Sequence, residues 1–187
     1  MDPFSYLAVL ISIILGLGIT QLLSGLGRLL QERRRVRLYW PTIVWVGLLL
    51  VLHVQTWWAM FGLRTLSSWS FLAFLLVLLQ PVVLFLLAAL LLPDSGSETA
   101  RDLRANYFAH SRWFFGLGVL LLVASLTRDV VLTGSLPGRL NTTGHVLLLM
   151  GWGIGVLTQR ESYHRWLALY SALILIGYIA VLFRALP

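Results

Sequence analysis

The chain has 187 residues, of which 59% are hydrophobic and only 11% are charged. A soluble domain carries charge on about a quarter of its residues, so this composition excludes an ordinary soluble protein and indicates a surface that faces lipid. The formal net charge is +7 and cysteine is absent, which excludes disulfides, thiolate metal sites and iron–sulfur clusters.

Six apolar segments follow one another along the chain, at residues 4–26, 40–63, 69–92, 113–133, 143–158 and 166–183. A helix needs about 20 residues to cross the hydrocarbon core of a bilayer. The fourth and fifth segments fit this least well, because Arg128 and Asp129 interrupt the fourth and the fifth is short. The first segment follows Asp2 without a basic stretch, which favours a true span over a cleavable signal peptide. We predict an all-α, polytopic bundle of six transmembrane helices that forms one membrane domain over residues 1–187.

The basic residues are all arginine, and they are unequally divided between the two ends of the segments. The loops after the first, third and fifth segments hold ten of them: Arg28, Arg33, Arg34, Arg35, Arg37, Arg101, Arg104, Arg112, Arg160 and Arg165. By the positive-inside rule these loops are cytoplasmic and both termini lie outside. We expect an integral protein of a prokaryotic cytoplasmic membrane. We expect no binding of nucleic acid, because the positive charge of the arginines orients the protein in the membrane.

Two loops carry further expectations. The run Arg33-Arg34-Arg35 is expected to bind anionic lipid headgroups. The connection 93–112 mixes charged residues with Leu103, Tyr107 and Phe108. It is interpreted either as a short amphipathic helix on the inner membrane face or as a disordered connector.

A short internal match suggests a repeat. Gly16-Leu17-Gly18 recurs as Gly116-Leu117-Gly118, within a stretch of thirteen positions that holds six identities. Two three-span halves, 1–92 and 113–187, would insert in opposite directions, an arrangement typical of secondary transporters. Chance similarity between leucine-rich segments is the alternative.

Small residues at helical spacing predict close helix packing. One stripe comprises Gly16, Thr20, Ser24 and Gly27, and a second contains Gly151 and Gly155. We favour packing within one chain for both stripes, and we also expect a homo-oligomer.

Polar residues within apolar segments are the candidates for a site, because an ionisable group at that depth costs about 2.5–3.5 kcal/mol on insertion scales. We expect six of them to share a ligand or transport pocket in the outer half of the bundle: His53, Thr56, Gln80, Arg128, Asp129 and His145. Structural alternatives exist for each. Arg128 would extend to the headgroups beside Asp129, His145 would be interfacial, and His53 and Gln80 would only join helices.

Three functions are consistent with these residues. The first is a small transporter or channel for a small solute or ion, in which Arg128 attracts an anion or pairs with Asp129. The second is a redox protein that holds a quinone with His53, Gln55, Trp57 and Trp58. The third is a non-catalytic membrane subunit, sensor or scaffold.

Enzymatic activity ranks lowest among the functions considered. The chain has no HExxH or GxSxG motif and no paired acidic residues within a span. Without lysine it also lacks a Schiff-base amine and a P-loop. We therefore predict no catalytic residue, no metal site and no cofactor.

Overall fold

The computed structural model describes residues 3–65, 69–93 and 102–182. Over these residues the chain forms six long α-helices and one short 3-10 helix, η1. The elements are α1 (Pro3–Gln31), α2 (Trp40–Met60), η1 (Phe61–Thr65), α3 (Phe71–Leu91), α4 (Leu103–Thr133), α5 (Arg139–Leu157) and α6 (Glu161–Leu182). All six α-helices contain a stretch long and apolar enough to cross a membrane. The prediction of an all-α membrane bundle with six spanning helices is confirmed.

The largest difference from the predicted boundaries is at the start of α4, which begins at Leu103 rather than at residue 113. The Asp102 carboxylate caps the helix by accepting hydrogen bonds from the backbone N–H groups of Arg104 and Ala105, at 2.9 and 3.1 Å. Residues 103–112 are therefore the first turns of α4. The interpretation of residues 103–112 as a separate surface helix is wrong, and so is their interpretation as a disordered connector. Residues 94–101 of the same connection lie outside the described residues.

The helices form two layers. In the first layer α1 packs along α3, α3 along α4, and α4 along α5. In the second layer α2 lies against α1 and α3 and contacts α6, which packs on α5. The helices expose many large apolar side chains on the outside of the bundle, as a lipid-facing surface requires.

The face that α1 buries differs from the predicted small-residue stripe. Its buried seam consists of residues spaced by four or seven positions, namely Leu7, Ile11, Leu15, Leu22 and Leu29. Gly18 and Gly25 lie on this seam and contact neighbouring helices, whereas Gly16, Thr20 and Ser24 are exposed. The prediction that the stripe of Gly16, Thr20, Ser24 and Gly27 packs within the chain is therefore wrong.

On α5, the small-residue prediction is confirmed. A Cβ atom at Gly151 or Gly155 would lie 3.1 or 2.9 Å from the Leu167 side chain of α6. These two glycines let α5 and α6 approach closely.

The connections after α1, α3 and α5 lie at one end of the bundle, which we call the arginine-rich end. Ion pairs join the three connections there. Arg37 lies 3.7 Å from Asp102, and Glu161 at the start of α6 pairs with Arg104 at 2.8 Å and with Arg165 at 2.6 Å. Arg33, Arg34 and Arg35 lie in an exposed turn at this end, where headgroup contact is sterically open.

Aromatic side chains fill the interior toward the arginine-rich end. The cluster consists of Tyr39, Trp45, Tyr107, Phe108, Phe114, Phe115, Trp152 and His164, with neighbouring ring centroids 5.2–6.5 Å apart. His164 is fully buried. Its Nε2–H donates to the Thr158 carbonyl at 2.9 Å, and its Nδ1 accepts from the Tyr107 hydroxyl at 3.1 Å. The aromatic cluster makes this half of the bundle dense.

Candidate functional site

A hydrogen-bonded polar chain crosses the bundle in its other half, from α2 through α3 to α4. The Gln80 amide nitrogen donates to the Thr56 hydroxyl at 3.2 Å, and the Gln80 amide oxygen accepts from the Arg128 guanidinium. Arg128 also donates from Nε and from a terminal nitrogen to Asp129 Oδ1, at 3.0 and 2.7 Å. We call Thr56, Gln80, Arg128 and Asp129 the polar cluster.

The sequence around Gln80 adds a further polar group to this region. Pro81 follows Gln80 in the interior of α3. Proline lacks an N–H group, so the carbonyl of Val77, four residues earlier, loses its usual helical partner. Val77 lines one of the cavities described next. The break in backbone bonding thus lies beside the polar cluster.

Two cavities flank the polar cluster. The η1 cavity has a volume of about 310 Å³ and reaches the end of the bundle at Gly62, Leu63 and Thr133. The α5 cavity has a volume of about 230 Å³ and lies among α2, α3, α4, α5 and α6. Gln80, Arg128 and Asp129 line both cavities. The guanidinium and its two partners therefore form the wall between them.

The α5 cavity has further polar groups in its lining: Gln55, Ser125, Asn141, His145 and Tyr178. His145 Nδ1 lies 2.9 Å from the Asn141 carbonyl and Nε2 lies 3.2 Å from the Ser125 hydroxyl. Because a carbonyl only accepts, Nδ1 carries a proton, and the Ser125 hydroxyl is in hydrogen-bonding distance of Nε2. Asn141 Oδ1 is buried and has no hydrogen-bond partner among the described residues.

The structure brings five of the six predicted pocket residues to these two cavities. Thr56, Gln80, Arg128 and Asp129 form the polar cluster, and His145 lies across the α5 cavity from it. The predicted pairing of Arg128 with Asp129 is present, with each side chain about one fifth exposed.

His53 lies elsewhere, contrary to the prediction. It is fully buried, its Nδ1–H donates to the Leu49 carbonyl at 2.7 Å, and it lines neither cavity. A Cβ atom at Gly18 would lie 2.2 Å from His53 Nε2. The face of α2 that carries His53 is turned toward α1, so the imidazole fills the space that glycine leaves in the helix contact.

The predicted quinone ligands are also separated. His53 contacts α1, Gln55 lines the α5 cavity, and Trp57 is 58% exposed on the outside of the bundle. These side chains do not meet around one ligand.

The sequence interpretation missed Asn141 and Tyr178, and it assigned Gln55 to a quinone site and not to this pocket. Asn141 lies four residues before His145, so the two share a face of α5. That spacing was the available signal. Tyr178 has no such neighbour in the sequence, because it reaches the cavity from α6.

The matching glycines of the suggested repeat have similar surroundings. Gly18 of α1 contacts the His53 ring of α2, and Gly118 of α4 contacts the Trp152 ring of α5. The halves differ in other respects, because α1 packs closely along α3, whereas α4 meets α6 through long side chains such as Arg104 and Tyr107. The repeat stays a prediction.

No known protein family, curated protein or solved structure matches this chain. Within the ranges that the structure describes, no three histidine, aspartate or glutamate side chains group in a way that could hold a metal ion. Function is therefore inferred from the geometry of the polar cluster and its cavities.

Proposed function

We propose that this protein is a small membrane transporter or channel that holds its solute in the cavities around Arg128. The position of the Arg128 guanidinium between two cavities of a membrane bundle carries this proposal. Ionisable groups at membrane depth are costly and usually mark a solute or ion pathway. A bundle with a purely structural role would gain little stability from an ionisable group that lies beside a cavity.

The two ends of the bundle support a pathway that is open on one side. The η1 cavity extends to the end of the bundle opposite the arginine-rich end, and the aromatic cluster fills the interior on the other side. The positive-inside rule assigns the arginine-rich end to the cytoplasm. We propose an outward-open pocket in a prokaryotic cytoplasmic membrane, with both termini outside and Arg33, Arg34 and Arg35 against anionic headgroups.

The cavity volumes restrict the solute. At about 310 and 230 Å³, they lie at or below the lower limit of sites for drug-sized ligands, which is about 300 Å³. Since a water molecule takes up about 30 Å³ of liquid volume, the two cavities have room for roughly ten and eight water-sized groups, so each suits a solute of about ten heavy atoms or fewer. A quinone with a long isoprenoid tail is too large for this space. A scaffold or sensor remains the alternative function, and a homo-oligomer stays a prediction.

Filling the α5 cavity tests the proposal. Gly144 lines this cavity, and a Cβ atom there would meet no other atom within 4 Å. Gly144→Phe should place a ring in the cavity without a clash and reduce solute flux at least tenfold. Flux is measured in proteoliposomes by stopped-flow light scattering with urea, glycerol and potassium nitrate as probes.

Gly153→Phe is the matched control. Gly153 lies on the same helix, also has open space at its Cβ position, and lines neither cavity. It should keep wild-type flux. Equal flux above protein-free liposomes in both variants would contradict passage through the α5 cavity. No flux above protein-free liposomes for any probe would reject the transport function and leave the scaffold alternative.

A further inference from the structure

We infer that the cavities select small solutes without net charge that both donate and accept hydrogen bonds, such as urea, simple amides and polyols. This inference rests on the proposed function and concerns the same site. It departs from the expectation that Arg128 attracts an anion.

The charge of the site is the first observation. Among the described residues that line the two cavities, only Arg128 and Asp129 carry a formal charge, and their hydrogen bonds of 2.7 and 3.0 Å make them a pair with no net charge. The two hydrogen bonds of His145 need no positive charge on the ring, since Nδ1–H donates to a carbonyl and the Ser125 hydroxyl can donate to Nε2. With His145 counted as neutral, the described lining has no net formal charge.

An anion gains little from such a pair. The Coulomb energy between two charges varies inversely with the distance between them. An anion next to the pair is attracted by Arg128 and repelled by Asp129 with energies of similar size. It would also lose its hydration in a membrane-embedded cavity, a cost that the N–H groups of an arginine already paired with Asp129 offset only in part.

The hydrogen-bonding groups are the second observation. A guanidinium has five N–H donors. Arg128 uses two on Asp129 and one on Gln80, which leaves one on each terminal nitrogen. Both bonds to Asp129 end on Oδ1, so Oδ2 is left to accept from a ligand.

Asn141 adds an acceptor to the same cavity. Its Oδ1 is buried and lacks a partner among the described residues, and a buried acceptor without a donor destabilises the folded protein. A solute with N–H or O–H groups would remove this cost, and its oxygen would accept from Arg128. Halide and nitrate ions donate no hydrogen bonds and cannot satisfy Asn141 or Asp129.

The test compares an uncharged probe with an anion. Proteoliposomes that contain the wild type, Asp129→Asn, or the double variant Arg128→Gln/Asp129→Asn are exposed to urea, and separately to potassium nitrate with valinomycin to balance charge. The wild type should pass urea at least tenfold faster than nitrate. Asp129→Asn leaves Arg128 without its counter-charge and should raise the nitrate-to-urea ratio at least tenfold. The double variant restores neutrality and should keep the wild-type order.

The outcomes separate the two proposals. If the wild type passes nitrate as fast as urea, and Gly144→Phe blocks both, the transport function stands and the selection of uncharged solutes is rejected. If the wild type passes neither probe, the transport function itself fails. Should Asp129→Asn not fold, the urea-to-nitrate ratio of the wild type still decides.

Discussion

Gly118→Ala should lower the free energy of unfolding by about 1–3 kcal/mol, the range for overpacking a tight contact. A Cβ atom there would lie 2.3 and 2.4 Å from two ring carbons of Trp152. The indole cannot retreat, because its Nε1–H donates to the Ser171 hydroxyl at 2.9 Å and its ring packs edge-on against Trp45 at a centroid distance of 5.5 Å. Either α4 and α5 must separate or the Ser171 bond must break.

Gly116→Ala is the matched control for this effect. It lies two residues earlier on the same helix, and its Cβ would meet nothing within 4 Å. Since alanine favours a helix over glycine, this variant should be as stable as the wild type or slightly more stable. Thermal unfolding of both variants in mild detergent measures the difference. Equal midpoints for the two would contradict the α4–α5 contact.

Gly18→Ala should destabilise the α1–α2 contact by a similar amount, about 1–3 kcal/mol. The added methyl group would lie 2.2 Å from His53 Nε2, and the imidazole is held by its bond to the Leu49 carbonyl. His53→Ala should restore part of the loss in the double variant, because it removes the ring that clashes. Gly16→Ala, with open space at its Cβ, should be harmless. The measurement is a double-mutant cycle of unfolding free energies.

The same series distinguishes the two roles considered for His53. As a packing residue, His53→Ala lowers stability and leaves solute flux per folded molecule unchanged. Loss of flux in a folded His53→Ala variant would show that His53 takes part in solute passage, as predicted from the sequence.

The six helices and most of the polar cluster could be predicted from the sequence for one physical reason. A lipid-embedded chain needs long apolar helices, and an arginine at that depth needs a partner nearby. Arg128, Asp129 and Gln80 had to be satisfied within the bundle whatever the details of packing, so their approach to one another was foreseeable.

The rotation of each helix could not be predicted in the same way. In a soluble protein, the polar face of a helix identifies its solvent-exposed side. In this chain, α1 and α2 carry apolar residues on every side. Gly16 and Gly18 are therefore equivalent in the sequence, although only Gly18 lies on the buried seam. The positions of His53 and Gln55 relative to the cavities depend on this rotation.

The early start of α4 was missed for a different reason. Residues 103–112 include Arg104, His110 and Arg112, which lower the hydropathy and suggest a segment outside the membrane. Their apolar neighbours Leu103 and Tyr107 are buried against the rest of the bundle. Tertiary contacts extend the helix where composition predicts an interruption.

The most direct test of an outward-open pocket is the accessibility of single cysteines, since the natural chain has none. Ala59→Cys would place a thiol in the η1 cavity, which reaches the end of the bundle, and Gly153→Cys would place one outside both cavities. A small, polar, membrane-impermeant thiosulfonate added to intact cells should modify the cysteine at position 59 and not the one at position 153. Failure to modify position 59 from outside, or modification only from the cytoplasmic face of inverted vesicles, would contradict the outward-open pocket.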